Sequence, residues 1–245
     1  WPSARFIDHG IDCSLRRSNS AKDLLSSTAD MIRSRVIVFQ KCYSKLDYYF
    51  LRLAVMLGKK TFVDIDDAPS QSVNPTTLKY FRLMCLKAHA VFAGSENLFN
   101  YCKEMGATVH LIPSAIKLEN YSFKKSFPSK GICLGWIGNG KHYKADLIAI
   151  LEGPLTELSK NFDIKLKLIG SSDEAELQSV FGNIGNLQTE FIHSLDWTDH
   201  AAIDREMSDI DIGLYPLLPN EFNKYKCGFK ALEYMAKGIA VVSSN

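Results

Sequence analysis

Three consecutive stretches near the end of the chain read Asp209-Ile-Asp-Ile-Gly-Leu-Tyr-Pro-Leu-Leu-Pro219, Lys226-Cys-Gly-Phe-Lys-Ala-Leu-Glu-Tyr-Met-Ala-Lys237 and Gly238-Ile-Ala-Val-Val-Ser-Ser244. Ile210, Ile212 and Leu214 predict a short apolar strand, which the following prolines force to end. The second stretch predicts a helix that stops at a glycine, and the third is a β-branched strand. This order of strand, loop, helix and strand is typical of an α/β fold with a parallel sheet.

The start of the predicted helix has the features of an anion site. Its first-turn N–H groups have no partner within the helix and carry the positive end of the helix dipole, and Gly228 permits a close approach. Lys226 and Lys230 add positive charge, and Glu233 follows one turn later, within reach of a hydroxyl group. This set suits a nucleoside diphosphate and its ribose. The alternative is an ordinary surface pair between Lys230 and Glu233, and chemistry alone leaves the two interpretations about even.

Composition limits the class of protein. The chain has 245 residues, enough for one large or two ordinary domains, and its 46% apolar and 23% charged content is that of a globular protein. A net charge of +2 gives no reason to expect a nucleic-acid partner. The six cysteines lack paired spacing, which favours buried thiols in a reducing, cytoplasmic compartment over disulfides or a metal site. No apolar run approaches the ~20 residues that a bilayer span requires.

A second glycine-rich segment follows another predicted strand. Residues 131–137 form the strand, Gly138-Asn139-Gly140-Lys141-His142-Tyr143-Lys144 the loop, and residues 146–158 an amphipathic helix. A strand, a glycine turn and a helix together can bind phosphate. A short Gly-x-Gly is weak evidence, because it lacks the third glycine of the dinucleotide fingerprint and equally fits a tight turn.

An acidic cluster ends a strand in the first half of the chain. Residues 61–64 predict this strand, and Asp64, Asp66 and Asp67 lie at its carboxyl end, where open α/β sheets bind ligands. Neighbouring carboxylates repel each other, which can supply a general base or a hydroxyl acceptor. The alternatives are a hard-cation site and a simple cap of the following turn.

The alternation of strands and helices predicts two domains. The second half contains five predicted strands, at 131–137, 164–169, 187–192, 210–215 and 239–243, and the first half has a similar pattern. The polar segment 117–130 is the best linker, so we place the boundary near residue 125, giving domains 1–125 and 126–245. The chain starts at Trp1 and stops just after a strand, and we expect it to be truncated at both ends, with the usual first strand missing.

The sequence resembles the family 4 glycosyltransferases, retaining nucleotide-sugar enzymes of GT-B fold. Their donor-site segment commonly reads Lys-x-x-Glu-Tyr-Met-Ala-x-Gly-x-Pro-Val-Val, and Lys230-Ala-Leu-Glu-Tyr-Met-Ala-Lys-Gly-Ile-Ala-Val-Val242 matches it except at Ala240. Gly135-Trp-Ile-Gly138 resembles the first strand and loop of the donor domain. A looser likeness extends to the Pro2-Ser-Ala-Arg5 start. Many members carry a glutamate close to the donor sugar at the position where this chain has Tyr225.

The resemblance implies a fold of two Rossmann-like domains facing across a cleft and transfer of a sugar to an acceptor hydroxyl with retention. The C-terminal domain would bind the donor through Gly138, Asn139, Lys141 or Lys144, Gly170, Lys226, Gly228, Lys230 and Glu233, with the base near Gly170 and Trp197. On the acceptor side it implies Asp66 and Asp67, and Arg5 is a weaker candidate for substrate contact. We expect no metal or other cofactor. The implied acceptor is a polysaccharide or lipid-linked sugar, which allows peripheral contact with the inner face of a membrane.

Two alternative functions use the same pocket. A GT-B nucleotide-sugar epimerase would bind the same donor but would need an acid/base pair near the sugar. A non-catalytic nucleotide-binding fragment would bind the donor without chemistry. A nicotinamide-dependent dehydrogenase is disfavoured, because the complete glycine fingerprint is missing.

Overall fold

The structure is a computed structural model and describes residues 9–16, 21–67, 74–126 and 131–244. Arg5, the substrate-contact candidate at the start of the chain, lies outside these residues. The chain divides into two compact units between Pro113 and Ser114. Each unit is described separately below.

The first unit has a four-stranded parallel sheet with strand order β1-β2-β3-β4. Its elements are α1 (Ala21–Arg33), β1 (Val36–Gln40), α2 (Lys45–Met56), β2 (Lys60–Ile65), α3 (Pro75–Lys87), β3 (Ala90–Ala93), α4 (Glu96–Glu104) and β4 (Val109–Leu111). Val63, Ile65 and Val91 are fully buried. Along β2 the side chains alternate between the two faces of the strand, and Thr61, Val63 and Ile65 are the buried ones.

The second unit has a five-stranded parallel sheet with strand order β7-β6-β5-β8-β9. Its elements are β5 (Ile132–Ile137), α5 (Gly140–Asn161), β6 (Ile164–Ile169), α6 (Ala175–Gly182), β7 (Gln188–Ile192), α7 (His200–Glu206), β8 (Ile212–Tyr215), α8 (Phe229–Ala236) and β9 (Ala240–Ser243). All five predicted strands are confirmed. The strand order reverses between β5 and β8, and open α/β sheets bind ligands at the carboxyl ends of the strands beside such a reversal.

Both faces of the second sheet are buried, as expected for parallel strands covered by helices. One core contains Trp136 and Leu168 and the other contains their neighbours Ile137 and Ile169. Tyr234 of α8 is fully buried in the second core, where its hydroxyl accepts a hydrogen bond from the Ile137 N–H at 3.1 Å. The end of β5 is therefore fastened directly to α8.

The two compact units divide after residue 113, whereas the sequence placed a domain boundary near residue 125. Residues 118–126, here called the connector, belong to the second unit. Lys124 Nζ lies 2.6 Å from Asp211 Oδ1, and the Ser122 N–H donates to Asp204 Oδ1 at 2.9 Å. The polar composition that suggested a free linker in fact supplies the side chains that anchor this segment.

Three further properties of the described residues bear on function. None of their helices combines the length and the apolar character that crossing a membrane requires. Within the same ranges, no group of three His, Cys, Asp or Glu side chains is arranged to hold a metal ion. The six cysteines are free thiols.

Candidate functional site

The loop after β5 and helix α8 meet at Gly138. The Gly138 N–H donates to the Ile169 carbonyl at 2.9 Å, which holds the loop against the end of β6. A Cβ at this position would lie 2.6 Å from Trp136 Cζ2 and 2.8 Å from Lys230 Cε. Both distances are shorter than real Cβ contacts, so glycine is required for Lys230 to lie against the backbone here. The two stretches predicted to bind a diphosphate are thus adjacent, beside the reversal of strand order.

Tyr143, on the first turn of α5, lies beneath both predicted phosphate-binding lysines. Its ring centroid is 5.3 Å from Lys226 Nζ and 4.8 Å from Lys230 Nζ, both within the range of a cation–π contact. The ring itself packs edge-on against Trp136, with centroids 6.0 Å apart. The sequence did not single out Tyr143. The signal available was an aromatic residue three positions after a glycine at a helix start.

Helix α5 begins earlier than predicted, at Gly140 rather than Asp146. Asn139 is its N-cap, and the Gly140 N–H donates to the Gly170 carbonyl at 2.7 Å. The loop is therefore only Gly138 and Asn139, and the helix N-terminus follows them directly. Lys141 is exposed on the first turn. This geometry brings the N-terminus of α5, with the positive end of its helix dipole, close to Gly138.

Lys141 and Lys144, between which the sequence could not choose, have different surroundings. Lys144 Nζ lies 3.0 Å from Glu174 Oε2 and 3.2 Å from Glu176 Oε2. Hydrogen bonds to these carboxylates raise the pKa of Lys144. Because its charge is already compensated, Lys144 is the weaker candidate for a phosphate and Lys141 the stronger.

Gly228 is the N-cap of α8, with φ of 68° and ψ of 21°. No described atom lies within 4 Å of the position that its Cβ would occupy. The left-handed backbone, rather than the close approach expected from the sequence, therefore accounts for glycine here. Just before it, Lys226 Nζ lies 4.0 Å from the centroid of the Phe222 ring.

Glu233 is held by a residue of the connector. The Tyr121 hydroxyl donates to Glu233 Oε1 at 2.7 Å, although the two residues are 112 positions apart. The pKa of Glu233 is raised above its usual value by burial. The Tyr121 hydrogen bond and the charges of Lys230 and His200 offset part of this rise. Tyr121 has no local sequence signal, because its partner lies in a distant part of the chain.

Gly170 and the Trp197 loop lie together at the end of β6. The Gly170 N–H donates to the Ile192 carbonyl at 2.7 Å. A Cβ on Gly170 would lie 1.9 Å from the Gly138 carbonyl oxygen and 3.0 Å from Trp197 Cζ2. Gly138, Gly170 and Trp197 therefore surround one region of the sheet edge.

The acidic cluster of the first unit contains a lysine. Lys41 Nζ lies 2.9 Å from Asp66 Oδ2 and 3.9 Å from Asp67 Oδ2. Gln40 Nε2 donates to Asp64 Oδ2 at 2.9 Å, and burial raises the pKa of Asp64. Asp66 Oδ1 is buried, and no hydrogen-bond partner for it occurs among the described residues. Asp64 lies within β2, and Asp66 and Asp67 follow the strand.

Comparisons with known proteins identify a fold. The chain matches no protein-family model and no curated protein sequence. The structure of Anabaena Alr3699/HepE in complex with UDP matches with a TM-score of 0.67 and 14% identity, over 98% of this chain and 69% of that one. The lipopolysaccharide outer core galactosyltransferase WaaB, in its apo form, matches with a TM-score of 0.59 and 14% identity, over 96% and 65%. A variant of S. aureus TarM, crystallised with Fondaparinux, alpha-GlcNAc-glycerol and UDP, matches with a TM-score of 0.55 and 14% identity, over 78% and 39%.

These matches establish the α/β fold of the GT-B glycosyltransferases for this chain. The chain spans 69%, 65% and 39% of the lengths of the three proteins. A shared fold does not fix a reaction, because one fold supports many chemistries. The function therefore has to be inferred from the site.

Proposed function

We propose that this chain is the core of a glycosyltransferase that takes its sugar from a nucleoside-diphosphate sugar and passes it to an acceptor hydroxyl. The observation that carries the proposal is the passage of Lys230 across Gly138, where a Cβ would lie 2.8 Å from Lys230 Cε. This contact places a cation of α8 at the glycine turn that precedes the N-terminus of α5. UDP in the HepE and TarM structures supports a nucleoside diphosphate as the ligand class.

The chemistry follows from the charges at this edge. Breaking the glycosidic bond of the donor leaves negative charge on the diphosphate, and cations fixed in advance stabilise that charge most effectively. We assign this role to Lys226, Lys230 and Lys141, with the helix start at Gly140. Glu233 would accept a hydrogen bond from the ribose. The nucleotide base would lie near Gly170 and Trp197.

The finer assignments rest on the resemblance of residues 230–242 to family 4. We propose on this basis that the chain belongs to family 4 and that it transfers the sugar with retention at the anomeric carbon. The proposed acceptor is a polysaccharide or a lipid-linked sugar at a membrane surface. In the same way, Asp66 and Asp67 are proposed for the acceptor side. The Asp66 carboxylate, which pairs with Lys41, would accept a hydrogen bond from the acceptor hydroxyl.

Nucleotide binding tests the site. We expect Lys230→Ala to weaken the binding of UDP about 10-fold or more, as removal of a charge-assisted hydrogen bond typically does. Glu233→Gln should weaken it too, but with a smaller effect on its salt dependence. Lys160→Ala is the matched control, since Lys160 lies at the far end of α5 and pairs with Glu157. Unchanged affinity in Lys230→Ala and Glu233→Gln would show that the site assignment is wrong.

Product analysis separates the candidate functions. The protein would be incubated with a panel of UDP-, GDP- and ADP-sugars, with and without glycan or lipid-linked acceptors. A glycosylated acceptor supports the proposal, and its anomeric configuration tests retention. An epimerised donor would instead identify an epimerase, and binding without turnover a non-catalytic module.

A further inference from the structure

The connector contributes a side chain to the nucleotide site of the second unit. Tyr121 is half-buried, and its hydroxyl donates to Glu233 Oε1 at 2.7 Å. Glu233 is the residue proposed above for the ribose. The hydrogen bond therefore links the segment that enters the second unit to the carboxylate that would recognise the sugar of the nucleotide.

Neighbouring residues hold Tyr121 in place. The Ser122 hydroxyl donates to Asp204 Oδ2 at 2.6 Å, and Lys237 Nζ donates to Ser122 Oγ at 3.1 Å. Two residues further on, Lys124 Nζ donates to the Ile210 carbonyl at 2.8 Å as well as to Asp211. Glu233 lies on α8 and Lys237 is the C-cap of that helix, four residues later, so both side chains lie on one side of the helix and both bond to the connector. This network holds the chain that follows Tyr121, and the Tyr121 ring packs against the core that contains Ile137 and Tyr234.

The bond leaves Glu233 able to bind a ligand. A carboxylate offers about four lone-pair positions, and the Tyr121 hydroxyl uses one of them. Among the residues that the structure describes, Lys230 and His200 are the charged or titratable groups that act on Glu233 besides Tyr121, and Tyr234 adjoins it on α8. Among these groups, Tyr121 is the one that donates a hydrogen bond to the carboxylate at a defined distance.

We propose that Tyr121 is a positioning residue that orients the Glu233 carboxylate toward the ribose hydroxyls, so that the site selects ribonucleotides over nucleotides without those hydroxyls. This inference rests on the proposed nucleotide site. Glu233 is half-buried and has therefore lost part of its hydration. A ligand without ribose hydroxyls leaves this carboxylate without a partner, which costs more binding free energy when the carboxylate is fixed than when it is mobile. Preorganisation by Tyr121 therefore increases the discrimination.

The first test compares UDP with 2′,3′-dideoxy-UDP by titration calorimetry. We expect the unmodified protein to prefer UDP by about 10- to 100-fold, and Tyr121→Phe to reduce this preference by about 3- to 10-fold. Affinity for the dideoxy nucleotide should hardly change, because it does not use Glu233. Tyr49→Phe removes a phenol hydroxyl from the exposed face of α2 and should leave the preference unchanged.

A pH series distinguishes positioning from general support of the fold. Removing the Tyr121 hydroxyl removes a hydrogen bond that lowers the pKa of Glu233, so that pKa should rise further in Tyr121→Phe. Glu233 would then lose its charge at a higher pH, and the acid limb of UDP binding should move upward. The phosphate groups of UDP titrate in both proteins and cancel in the comparison. A purely structural loss would weaken binding without moving this limb.

A double-mutant cycle completes the test. In a Glu233→Gln background, Tyr121→Phe should have less effect on the ribose preference than in the unmodified protein. Additive effects, an unmoved acid limb or an unchanged preference would each overturn the role of Tyr121 while leaving the nucleotide site intact. Failure of the unmodified protein to bind UDP, GDP or ADP would instead overturn the proposed function, and this inference with it.

Discussion

Asp146 accepts hydrogen bonds from the Leu218 N–H and from Asn223 Nδ2, each at 2.7 Å. These bonds tie α5 to the loop between β8 and α8. We expect Asp146→Ala to lower the free energy of unfolding by about 1–3 kcal/mol, because two donors lose their acceptor. Urea unfolding followed by circular dichroism would measure this change. Glu152→Ala, at an exposed position of the same helix, should cost less than about 0.5 kcal/mol.

Asp204 makes stability depend on pH. Burial alone would raise its pKa, but hydrogen bonds from Lys237 and Ser122 lower the pKa below its usual value. The stabilisation is thus present above the unfolded-state pKa of about 3.9 and is lost as the pH falls through the folded-state pKa. We expect Asp204→Asn to cost about 3 kcal/mol near pH 7, since Lys237 is buried. The difference from the unmodified protein, measured by urea unfolding from pH 7 to pH 2.5, should shrink below about pH 4. A difference that stays constant over this range would contradict the assignment.

Local sequence singled out two candidate site residues of α8 but not the residues that contact them. Lys230 and Glu233 are candidates because their spacing, near a helix start, has a chemical meaning within a few residues. Tyr121 and Tyr143 could not, because what makes them important is contact across 112 and 87 positions, the second being the difference between 230 and 143. Only the strand order brings these segments together.

Lys124 is one of the residues that fasten the connector to the second unit. Its ammonium group is bonded to Asp211, whose side chain also accepts the Cys133 N–H at 2.8 Å. Lys124→Met should destabilise the second unit by about 3 kcal/mol, because Asp211 would remain as a buried charge without its lysine. It should also speed amide hydrogen exchange in residues 118–126, measured by mass spectrometry. The neighbouring exposed lysine gives the control, and Lys125→Met should change neither quantity measurably.

Strands were easier to predict than the ends of helices and segments. The five strands of the second sheet are short apolar runs between glycines, prolines and polar residues. This pattern involves only residues that are close together in the sequence. Helix α5 was predicted to start at Asp146 because Gly140 and the polar residues after it suggested a loop. In the structure, the Gly140 N–H bonds to the Gly170 carbonyl, so a contact from β6 sets the helix start. The connector resembled a linker for a similar reason. Its polar side chains bond to residues that are distant in the sequence.

The two units are expected to divide the work of the reaction. Asp66→Asn should lower kcat/KM for sugar transfer at least 10-fold while leaving the UDP dissociation constant within about 2-fold. The reason is that Asp66 lies in the first unit, whereas the proposed nucleotide contacts lie in the second. Glu119→Gln, an exposed carboxylate of the connector, serves as the comparison. Loss of UDP binding in Asp66→Asn would contradict this division.

Catalysis without a divalent cation is a further property expected of the whole molecule. The proposed site neutralises the diphosphate with lysines and a helix N-terminus, which can replace a bound metal ion electrostatically. Transfer rates should therefore be equal, within about 2-fold, before and after treatment with excess EDTA. Loss of activity that Mg²⁺ or Mn²⁺ restores would show that the prediction is wrong.

The anchored connector has a consequence for protein engineering. A chimaera that gives the second unit a new acceptor-side partner should be joined between Pro113 and Ser114, where the two units divide. A junction placed near residue 125 would instead leave Tyr121, Ser122 and Lys124 with the first unit, although they belong to the second. Such a hybrid would remove Tyr121 from Glu233, Ser122 from Asp204 and Lys124 from Asp211 at once, so an exchange intended to alter only the first unit would also damage the proposed nucleotide site.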